Sequence, residues 1–331
     1  MNNEMAVSPI VATLVLIVVA VIGAVAVGTI MGTFSSSVSK QVQTGQAASA
    51  SETDVLIAGS TTLQVAMQNV SSDYMNANPD VKITVEGGGS GAGISGVANN
   101  IIDIGMFSQV MDANQLAAYP TLQQFVVGYG GVVGIANSAE TGIKPLGQAD
   151  WAKMYNTGVL AANAPTDITG LVTRSDVSGT ADSFAAYCGI TNIYFTGTQT
   201  GGTIPITSAK SNSGVVAAVG ATGTHLLGFT DLDYASTATN VEIIPWSGYT
   251  GTVSANGAAT GYTYKDIVAV KNGQADPNQN FPLGAIRPLE LLTNGSPNAI
   301  AQSIITFTQS PNEATQFHLS NLAHVSDISV S

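Results

Sequence analysis

Residues 169–187 read TGLVTRSDVSGTADSFAAY, and this stretch indicates most clearly how the chain is built. The segment from Thr169 to Val172 is typical of a short strand, and a helix is predicted from Ala181 onward. Arg174 stands four residues before the Ser-Gly-Thr sequence that leads into this helix. A strand that passes through a short turn straight into a helix is the repeating unit of α/β proteins.

The turn between this strand and this helix is suited to hold an anion. Free N–H groups and the positive end of the helix dipole meet at a helix N-terminus. Arg174 can add the parallel donors of its guanidinium group, and Asp176 is placed to orient that group. This turn alone leaves an alternative open, in which Arg174 and Asp176 form a surface salt bridge beside a capped helix and bind no anion.

The turn at residues 59–62, Gly-Ser-Thr-Thr, has the same arrangement nearer the start of the chain. It follows a strand predicted over 55–58 and precedes a helix predicted over 61–78, whose apolar residues recur at 63, 66, 70 and 74. Glycine permits a tight turn, and Ser or Thr oxygens can cap a helix. Helix capping alone also explains this motif.

A third turn of this kind is the glycine-rich run at residues 87–93, GGGSGAG. The alternating pattern of 81–85 predicts a strand before it, and a helix is predicted around 94–100, followed by a strand near 102–105. Glycines within 91–96 formally match the dinucleotide-binding fingerprint, but consecutive glycines produce that match easily. Three such turns, each with Ser or Thr, are what a small oxyanion needs to replace its water shell.

The composition excludes several classes of function. The 331 residues are 45% apolar but only 9% charged, and the net charge of −12 leaves no basic surface for nucleic acid. An anion site must therefore act locally, through backbone N–H groups and a well-placed arginine. The single cysteine, Cys188, excludes internal disulfides and cysteine-rich metal sites.

The sequence shows no catalytic or metal-binding motif. His225, His318 and His324 stand apart from one another without metal-ligand spacing, and no serine lies in a GxSxG nucleophile motif. We therefore expect no enzymatic activity, no metal site and no cofactor.

The N-terminal segment is strongly apolar. Residues 10–34 carry no charged side chain, and they predict a helix of about 37 Å, enough to span a bilayer. The run is too long for a secretory signal peptide, and its leader MNNEM has no basic residue. Gly28 and Gly32 have the GxxxG spacing of closely packed membrane helices, although glycine is common in such helices anyway.

The start AVSPIV at residues 6–11, followed by this apolar run, resembles archaeal type IV pilins. The resemblance implies a short leader of residues 1–5, removed by a prepilin peptidase, and a hydrophobic helix of residues 6–34. In that family the helix either anchors the protein in the membrane or packs in the core of a filament. The small polar residues 35–53 then form a stalk.

From residue 54 onward the chain resembles the phosphate-binding proteins of ABC-type phosphate importers. The motifs that match in order and spacing are GSTT (59–62), GGGSGAG (87–93), DIGMFS (103–108), PLGQADWAKMYNTG (145–158), RSDVSGT (174–180), HLLGFTDLDYA (225–235) and IRPLELLTNG (286–295). The resemblance implies a type II periplasmic-binding-protein fold, in which two α/β lobes clamp the ligand. Residues 54–135 and 229–331 would form lobe 1 and residues 136–228 lobe 2, with crossovers near Ala136 and Gly228.

The resemblance also implies which residues contact phosphate. The family's aspartate, which accepts the proton of a protonated phosphate, corresponds to a serine here. A hydroxyl can both donate and accept a hydrogen bond, so the replacement removes a negative charge and bears on discrimination against sulfate, molybdate or tungstate. The implied contacts are Thr61, Thr62, Ser90, Ser108 (the replaced aspartate), Arg174, Ser178, Gly179 and Thr180, with Asp176 orienting Arg174.

Together these patterns predict an extracytoplasmic archaeal protein that captures phosphate and delivers it to the permease of an ABC importer. The alternative, supported by residues 1–35, is a subunit of an archaeal type IV pilus-like filament whose outer domain is the binding fold. The two hypotheses do not exclude each other, because different parts of the chain support them.

Overall fold

In a computed structural model, residues 53–276 and 280–329 form alternating strands and helices. The strands are β1 (Thr53–Gly59), β2 (Val81–Gly87), β3 (Ile104–Phe107), β4 (Leu122–Asn137), β5 (Gly170–Arg174), β6 (Gly197–Thr198), β7 (Pro205–Ala209), β8 (Leu226–Asp231), β9 (Val241–Ile244), β10 (Ile286–Asn294) and β11 (Ala323–His324). The helices are α1 (Thr61–Ala77), α2 (Ser90–Ala98), α3 (Ala113–Ala118), α4 (Gln148–Thr157), α5 (Gly179–Cys188), α6 (Ser211–Val219), α7 (Leu232–Thr237), α8 (Tyr264–Lys271), α9 (Ala299–Thr308) and α10 (Ala314–Leu319).

The predicted N-terminal elements fall outside these described residues. This holds for the hydrophobic helix of residues 6–34, with Gly28 and Gly32, and for the stalk up to residue 52. No helix of the described part of the chain is both long and apolar enough to cross a membrane.

The strands form one mixed sheet in the order β2-β1-β3-β10-β4-β8-β5-β7-β6, with β9 and β11 also paired to β4. β4 has 16 residues. Its part up to Gly131 pairs with β10, whereas its part from Val132 onward pairs with β8 and β9. We call β1, β2, β3, β10, β11 and the first part of β4 the first half-sheet, and the remaining strands the second half-sheet. The predicted α/β architecture is confirmed.

The strand pairing locates where the chain passes from one half-sheet to the other. Ala136 is the second-to-last residue of β4, in the part that pairs with β8. Gly228 is an interior residue of β8, where a Cβ would lie 2.9 Å from the side chain of Val219 and 3.1 Å from that of Val215. This glycine therefore makes room for α6. β8 and β9 both belong to the second half-sheet, and the chain rejoins the first only at β10.

Helix α1 buries the face that its apolar spacing predicts. Leu63, Ala66, Val70 and Tyr74 are all buried against the first half-sheet. Residues three or four apart lie on one side of a helix, so this spacing forms a continuous apolar stripe. The stripe fixes the helix, and with it the turn that precedes Thr61.

Helix α2 starts earlier than the sequence predicts. It begins at Ser90, directly after Gly89, whose φ of 87° lies in the left-handed region that favours glycine. Within the helix, a Cβ on Gly93 would lie 2.4 Å from the carbonyl oxygen of Met106. Glycine therefore lets α2 lie directly on β3. The spacing of apolar residues in this stretch does not predict this close contact.

The second half-sheet is held by an aromatic core. Phe184 of α5 stacks on Phe229 of β8 with 4.5 Å between ring centroids, and Trp151 of α4 meets Phe184 edge-on at 5.3 Å. Gly134 of β4 leaves space for this indole, since a Cβ there would lie 2.1 Å from the ring. The packing fixes α5, and with it the helix start at Gly179.

Glu290 of β10 is a buried carboxyl group that makes stability depend on pH. It is 6% exposed, and its Oε2 has no hydrogen-bond partner among the described residues. Burial raises its pKa from 4.5 to about 7. Between these values the unfolded chain has lost the proton while the folded chain keeps it. The free energy of unfolding therefore falls as the pH rises through this window, and levels off above it.

We expect Glu290→Gln to remove this part of the pH dependence and to stabilise the protein at about pH 8 by at most about 3 kcal/mol, since one pKa unit corresponds to about 1.4 kcal/mol. Urea denaturation at about pH 5 and about pH 8 measures the difference. The exposed Asp54→Asn on β1 is the control and should keep the wild-type pH dependence. The same slope in Glu290→Gln as in the wild type would contradict the prediction.

Candidate anion-binding site

The three turns predicted from the sequence meet where the two half-sheets join. They carry Thr62 in the first turn of α1, Ser90 at the start of α2 and Thr180 in the first turn of α5. The hydroxyl oxygens of Thr62 and Thr180 lie 3.5 Å apart. The amide of Gly91 donates to the carbonyl oxygen of Val177 at 3.2 Å. Side chains from both half-sheets are thus in direct contact, and the cleft between them is closed.

Arg174, at the end of β5, is buried and held in a fixed plane. Its Nε and Nη2 donate to the two carboxylate oxygens of Asp176 at 2.8 and 2.5 Å, a fork of parallel hydrogen bonds. Its Nη1 donates to the amide oxygen of Asn212 at 2.7 Å. Asn212 in turn donates from Nδ2 to Oγ1 of Thr62 at 3.1 Å, which links the second half-sheet to the first.

A second arginine, Arg287 of β10, reaches the same place from the first half-sheet. Its Nη2 donates to Oγ1 of Thr62 at 3.0 Å and to Oγ1 of Thr180 at 2.9 Å, and it also contacts a carboxylate oxygen of Asp231. The chain has only two arginines, so both of them meet here. Arg287 does not lie in a turn between a strand and a helix, so no local motif identifies it as an anion ligand. The sequence signal that could have identified it is the scarcity of arginine in this chain.

Two nitrogen atoms of Arg287 indicate a missing partner. The residue is 3% exposed, and its Nε and Nη1 are buried without a hydrogen-bond partner in the described part of the chain. Leaving a buried donor unsatisfied costs about 1–3 kcal/mol, and more for a charged group. An oxyanion held against this guanidinium supplies acceptor oxygens of the required charge. Ser60 Oγ, in the turn before α1, is also buried without a partner.

Two buried carboxyl groups, Asp231 and Asp233, lie beside Arg287. Burial raises the pKa of both, while the charge of Arg287 favours the ionised form of Asp231. The neighbouring Asp231 raises the pKa of Asp233 further, and burial lowers the pKa of Arg287. The cluster is therefore an Arg287–Asp231 ion pair next to a carboxyl group that retains its proton more strongly than usual.

Three serine hydroxyls complete the centre. They belong to Ser90 at the start of α2, Ser108 just after β3 and Ser178 just before α5. Ser108 Oγ lies 3.1 Å from Ser90 Oγ, and the Ser108 amide donates to the same oxygen at 3.3 Å. Gly179 packs directly on Ser108, because a Cβ there would lie 2.5 Å from the Ser108 carbonyl oxygen. The hydroxyl of Ser178 caps the N-terminus of α5 by accepting from the amide of Ala181 at 3.3 Å. The amide of Gly179 is not the donor in this capping hydrogen bond.

Two tyrosines outside the predicted set position the turns at residues 59–62 and 174–180. The hydroxyl of Tyr234 donates to the carbonyl oxygen of Thr61 at 3.1 Å, which ties α7 to α1. The amide of Ser178 donates to the hydroxyl oxygen of Tyr194 at 2.9 Å, and that hydroxyl donates to Asp182 at 2.7 Å. These contacts hold the N-terminal turns of α1 and α5 in place.

The centre presents mainly hydrogen-bond donors. Two guanidinium groups and several hydroxyls meet the N-termini of α1, α2 and α5, and neither α1 nor α2 has a side-chain cap on its first turn. Helix N-termini and arginines both favour a negative charge. This arrangement can hold a small anion that is shielded from water on both sides.

A family model described as PBP superfamily domain matches residues 43–289 of this chain. Among curated relatives, the phosphate-binding protein PstS of Bacillus subtilis (strain 168) is 30% identical over 139 residues. That match covers 40% of this chain and 44% of the relative, so the chain aligns with less than half of the relative's length.

Two solved structures resemble this chain over most of its length. A phosphate ABC transporter substrate-binding protein from Clostridium perfringens, with bound phosphate, has a TM-score of 0.64 and 20% identity, covering 82% of this chain and 99% of that one. An ABC-type phosphate transport receptor from Vibrio cholerae has a TM-score of 0.58 and 20% identity, covering 81% and 99%. At these identities the likeness shows the fold, and the predicted periplasmic-binding-protein fold is confirmed.

Proposed function

Because the chain belongs to the PBP superfamily, we propose that it binds phosphate outside the cytoplasm and delivers it to an ABC importer. The observation that carries this proposal is the meeting of both arginines at one buried centre, where Arg287 keeps donors without a partner among residues 53–276 and 280–329. The names of the similar proteins support phosphate as the anion, since each of the three is described by phosphate binding or transport.

The proposed ligand suits the centre by its shape and charge. Phosphate is small, carries up to four acceptor oxygens and can be reached from several directions. Arg287 and the hydroxyls of Thr62 and Thr180 hold it from opposite half-sheets, and the amide of Gly179, in the first turn of α5, adds the dipole of that helix. Arg174 contributes positive charge in a plane set by Asp176. Because the chain has a net charge of −12, these local donors must outweigh a repulsive overall field.

The proposal gives the remaining predicted residues supporting roles around the anion. Ser90 offers a hydroxyl from the turn at residues 87–93 and Ser108 offers one from just after β3. Thr61 and Ser178 contribute through the starts of α1 and α5. No carboxylate stands at Ser108, so a proton on the phosphate needs another acceptor. Asp231 is the candidate, because its carboxylate is buried beside Arg287.

We further propose that residues 6–34 hold this binding domain at the cell surface of an archaeon. The support is the sequence alone, an uncharged apolar run after a pilin-like start. A prepilin peptidase would remove residues 1–5, and the helix would then either remain in the membrane or pack with its copies in a filament. Negative-stain microscopy of material sheared from cells separates the two. Filaments that carry the protein support packing, and detergent-soluble monomer alone contradicts it.

Isothermal titration of the full chain, kept in a mild detergent, tests the binding proposal. Phosphate, sulfate and molybdate are titrated separately under identical conditions. We expect one phosphate per chain and clearly weaker binding of the other two anions. If none of the three oxyanions binds, the proposed function is contradicted. If sulfate or molybdate binds more strongly than phosphate, that anion and not phosphate is the ligand.

Gly179→Ala should weaken phosphate binding at least about tenfold, which corresponds to about 1.4 kcal/mol. The added Cβ would lie 2.5 Å from the carbonyl oxygen and 2.6 Å from the Oγ of Ser108, so the two half-sheets cannot close fully. The matched control is Gly214→Ala in α6, where the nearest atom to a Cβ is 3.5 Å away. Calorimetry should give wild-type affinity for the control, and equal affinities for the two variants would refute this account of closure.

A further inference from the structure

A second cluster of chemically active side chains lies at the edge of the second half-sheet opposite the anion site. It consists of Glu140, just after β4, Asp167, just before β5, and His225, immediately before β8. The anion site uses the other ends of β5 and β8, where Arg174 and Asp231 lie. The two sites are therefore separated by the length of these strands.

The distances within this cluster suit a single cation. Nδ1 of His225 lies 2.8 Å from Oε1 of Glu140 and 3.5 Å from Oδ2 of Asp167. One ligand atom from each residue lies within 4.8 Å of the others. Ligand atoms that surround a tetrahedral zinc ion at about 2.1 Å stand about 3.4 Å from one another. Small side-chain rotations would therefore bring all three groups onto one ion.

Glu140 distinguishes this cluster from an ordinary acidic patch on the surface. It is 1% exposed, and its Oε2 is buried without a hydrogen-bond partner among the described residues. A buried carboxylate beside another carboxylate is unfavourable unless a cation lies between them. The side chains of His225 and Asp167 are 44% and 56% exposed, so an ion can enter from solvent.

Asn137 holds two of the ligand-bearing segments together. Its Oδ1 accepts from the amide of Ala139, next to Glu140, at 2.9 Å. Its Nδ2 donates to Oγ1 of Thr224, next to His225, at 3.2 Å. A single buried side chain thus joins the turn after β4 to the turn before β8. This reduces the freedom that Glu140 and His225 would lose on binding an ion.

Further hydrogen bonds fix the third segment and the backbone of Glu140. The amide of Thr169 donates to the carbonyl oxygen of His225 at 2.8 Å, which sets Asp167 beside the imidazole. Nδ2 of Asn256 donates to the carbonyl oxygen of Glu140 at 3.1 Å. The three side chains are therefore pre-positioned by the fold, as the ligands of a metal site are.

We propose that Glu140, Asp167 and His225 bind one zinc ion, with solvent completing its coordination. Imidazole favours zinc over calcium and magnesium, which prefer oxygen ligands alone, and two carboxylates neutralise the charge of the ion. Three protein ligands and one open position are an established zinc arrangement. His225 and Glu140 are 85 residues apart in the sequence, so no local motif announces the site.

Titration of the metal-free full chain with zinc chloride, in detergent and in phosphate-free buffer, tests the site. We expect one zinc ion per chain and a zinc-dependent rise of the unfolding temperature. Asp167→Asn and His225→Asn, both at exposed side chains, should each weaken zinc binding at least about tenfold. Glu140→Gln should do so as well.

The matched control is His318→Asn, because His318 pairs with the carboxylate of Asp327 at 2.8 Å in a different part of the fold. Its zinc affinity should equal that of the wild type. Absence of zinc binding by the wild type, or equal zinc affinity in Asp167→Asn, His225→Asn and the wild type, would overturn the proposal. Phosphate binding of the same preparations reports on the anion site separately.

Discussion

The Arg287→Met protein should bind phosphate at least about 100-fold more weakly than the wild type. Methionine preserves much of the apolar stem but removes the cation that bridges Thr62 and Thr180 and whose other donors lack a partner. Loss of a buried charged partner costs about 2–5 kcal/mol, and each tenfold change in affinity corresponds to about 1.4 kcal/mol. Equilibrium dialysis with labelled phosphate measures the change.

Two further variants separate the loss of binding from a loss of folding. Arg287→Met also leaves Asp231 without its cation, which can lower stability. Arg287→Lys keeps the positive charge but loses the planar donors, so we expect it to fold and to bind phosphate about tenfold more weakly than the wild type. Lys82→Met, at an exposed cation of β2, should bind normally. Wild-type affinity in a folded Arg287→Lys and Arg287→Met would contradict the role of Arg287.

Asp231→Asn should reduce the preference for phosphate over sulfate by at least about tenfold. Asp231 is fully buried and contacts Arg287. A carboxylate here can accept the proton that phosphate carries at neutral pH, whereas it repels sulfate, which carries none. An asparagine removes the repulsion and can donate to either anion. Competition dialysis of labelled phosphate against unlabelled sulfate gives the ratio directly.

Asp233→Asn is the control for this selectivity, because it alters the same acidic pair without removing the contact to Arg287. Burial, and then the neighbouring Asp231, raise the pKa of Asp233 well above its ordinary value, so the asparagine replaces a group that holds its proton strongly. We expect nearly the wild-type ratio of phosphate to sulfate affinity. A larger change in Asp233→Asn than in Asp231→Asn would show that selectivity lies elsewhere in the site.

Much of the fold was predictable, because the signals that define it are local. A strand, a glycine or serine turn and a helix start follow one another within a few residues, so the three turns could be read directly. The pairing of Arg174 with Asp176 belongs to the same class, since the two residues stand two positions apart. The packing role of Gly228, which makes room for α6 inside β8, depends on a contact between elements and is not visible in the local sequence.

The rest of the centre depends on contacts between distant parts of the chain. Arg287 is 225 residues from Thr62 and 107 from Thr180, and Asn212 is 150 residues from Thr62. Such partners meet only because β10 returns to pair with β4 in the first half-sheet. No periodicity or motif in one sequence encodes that return. Burial of the second arginine beside two aspartates therefore became apparent only from the tertiary structure.

We propose that phosphate lies between the two half-sheets against Arg287. A crystal structure of the chain with bound phosphate is the decisive test. We expect phosphate oxygens within about 3 Å, the usual hydrogen-bond range, of Nη1 or Nε of Arg287. The same range should hold for the hydroxyls of Thr62 and Thr180. We also expect a contact from the amide of Gly179. Phosphate bound elsewhere, or bound here with the free nitrogens of Arg287 turned to protein acceptors, would contradict this proposal.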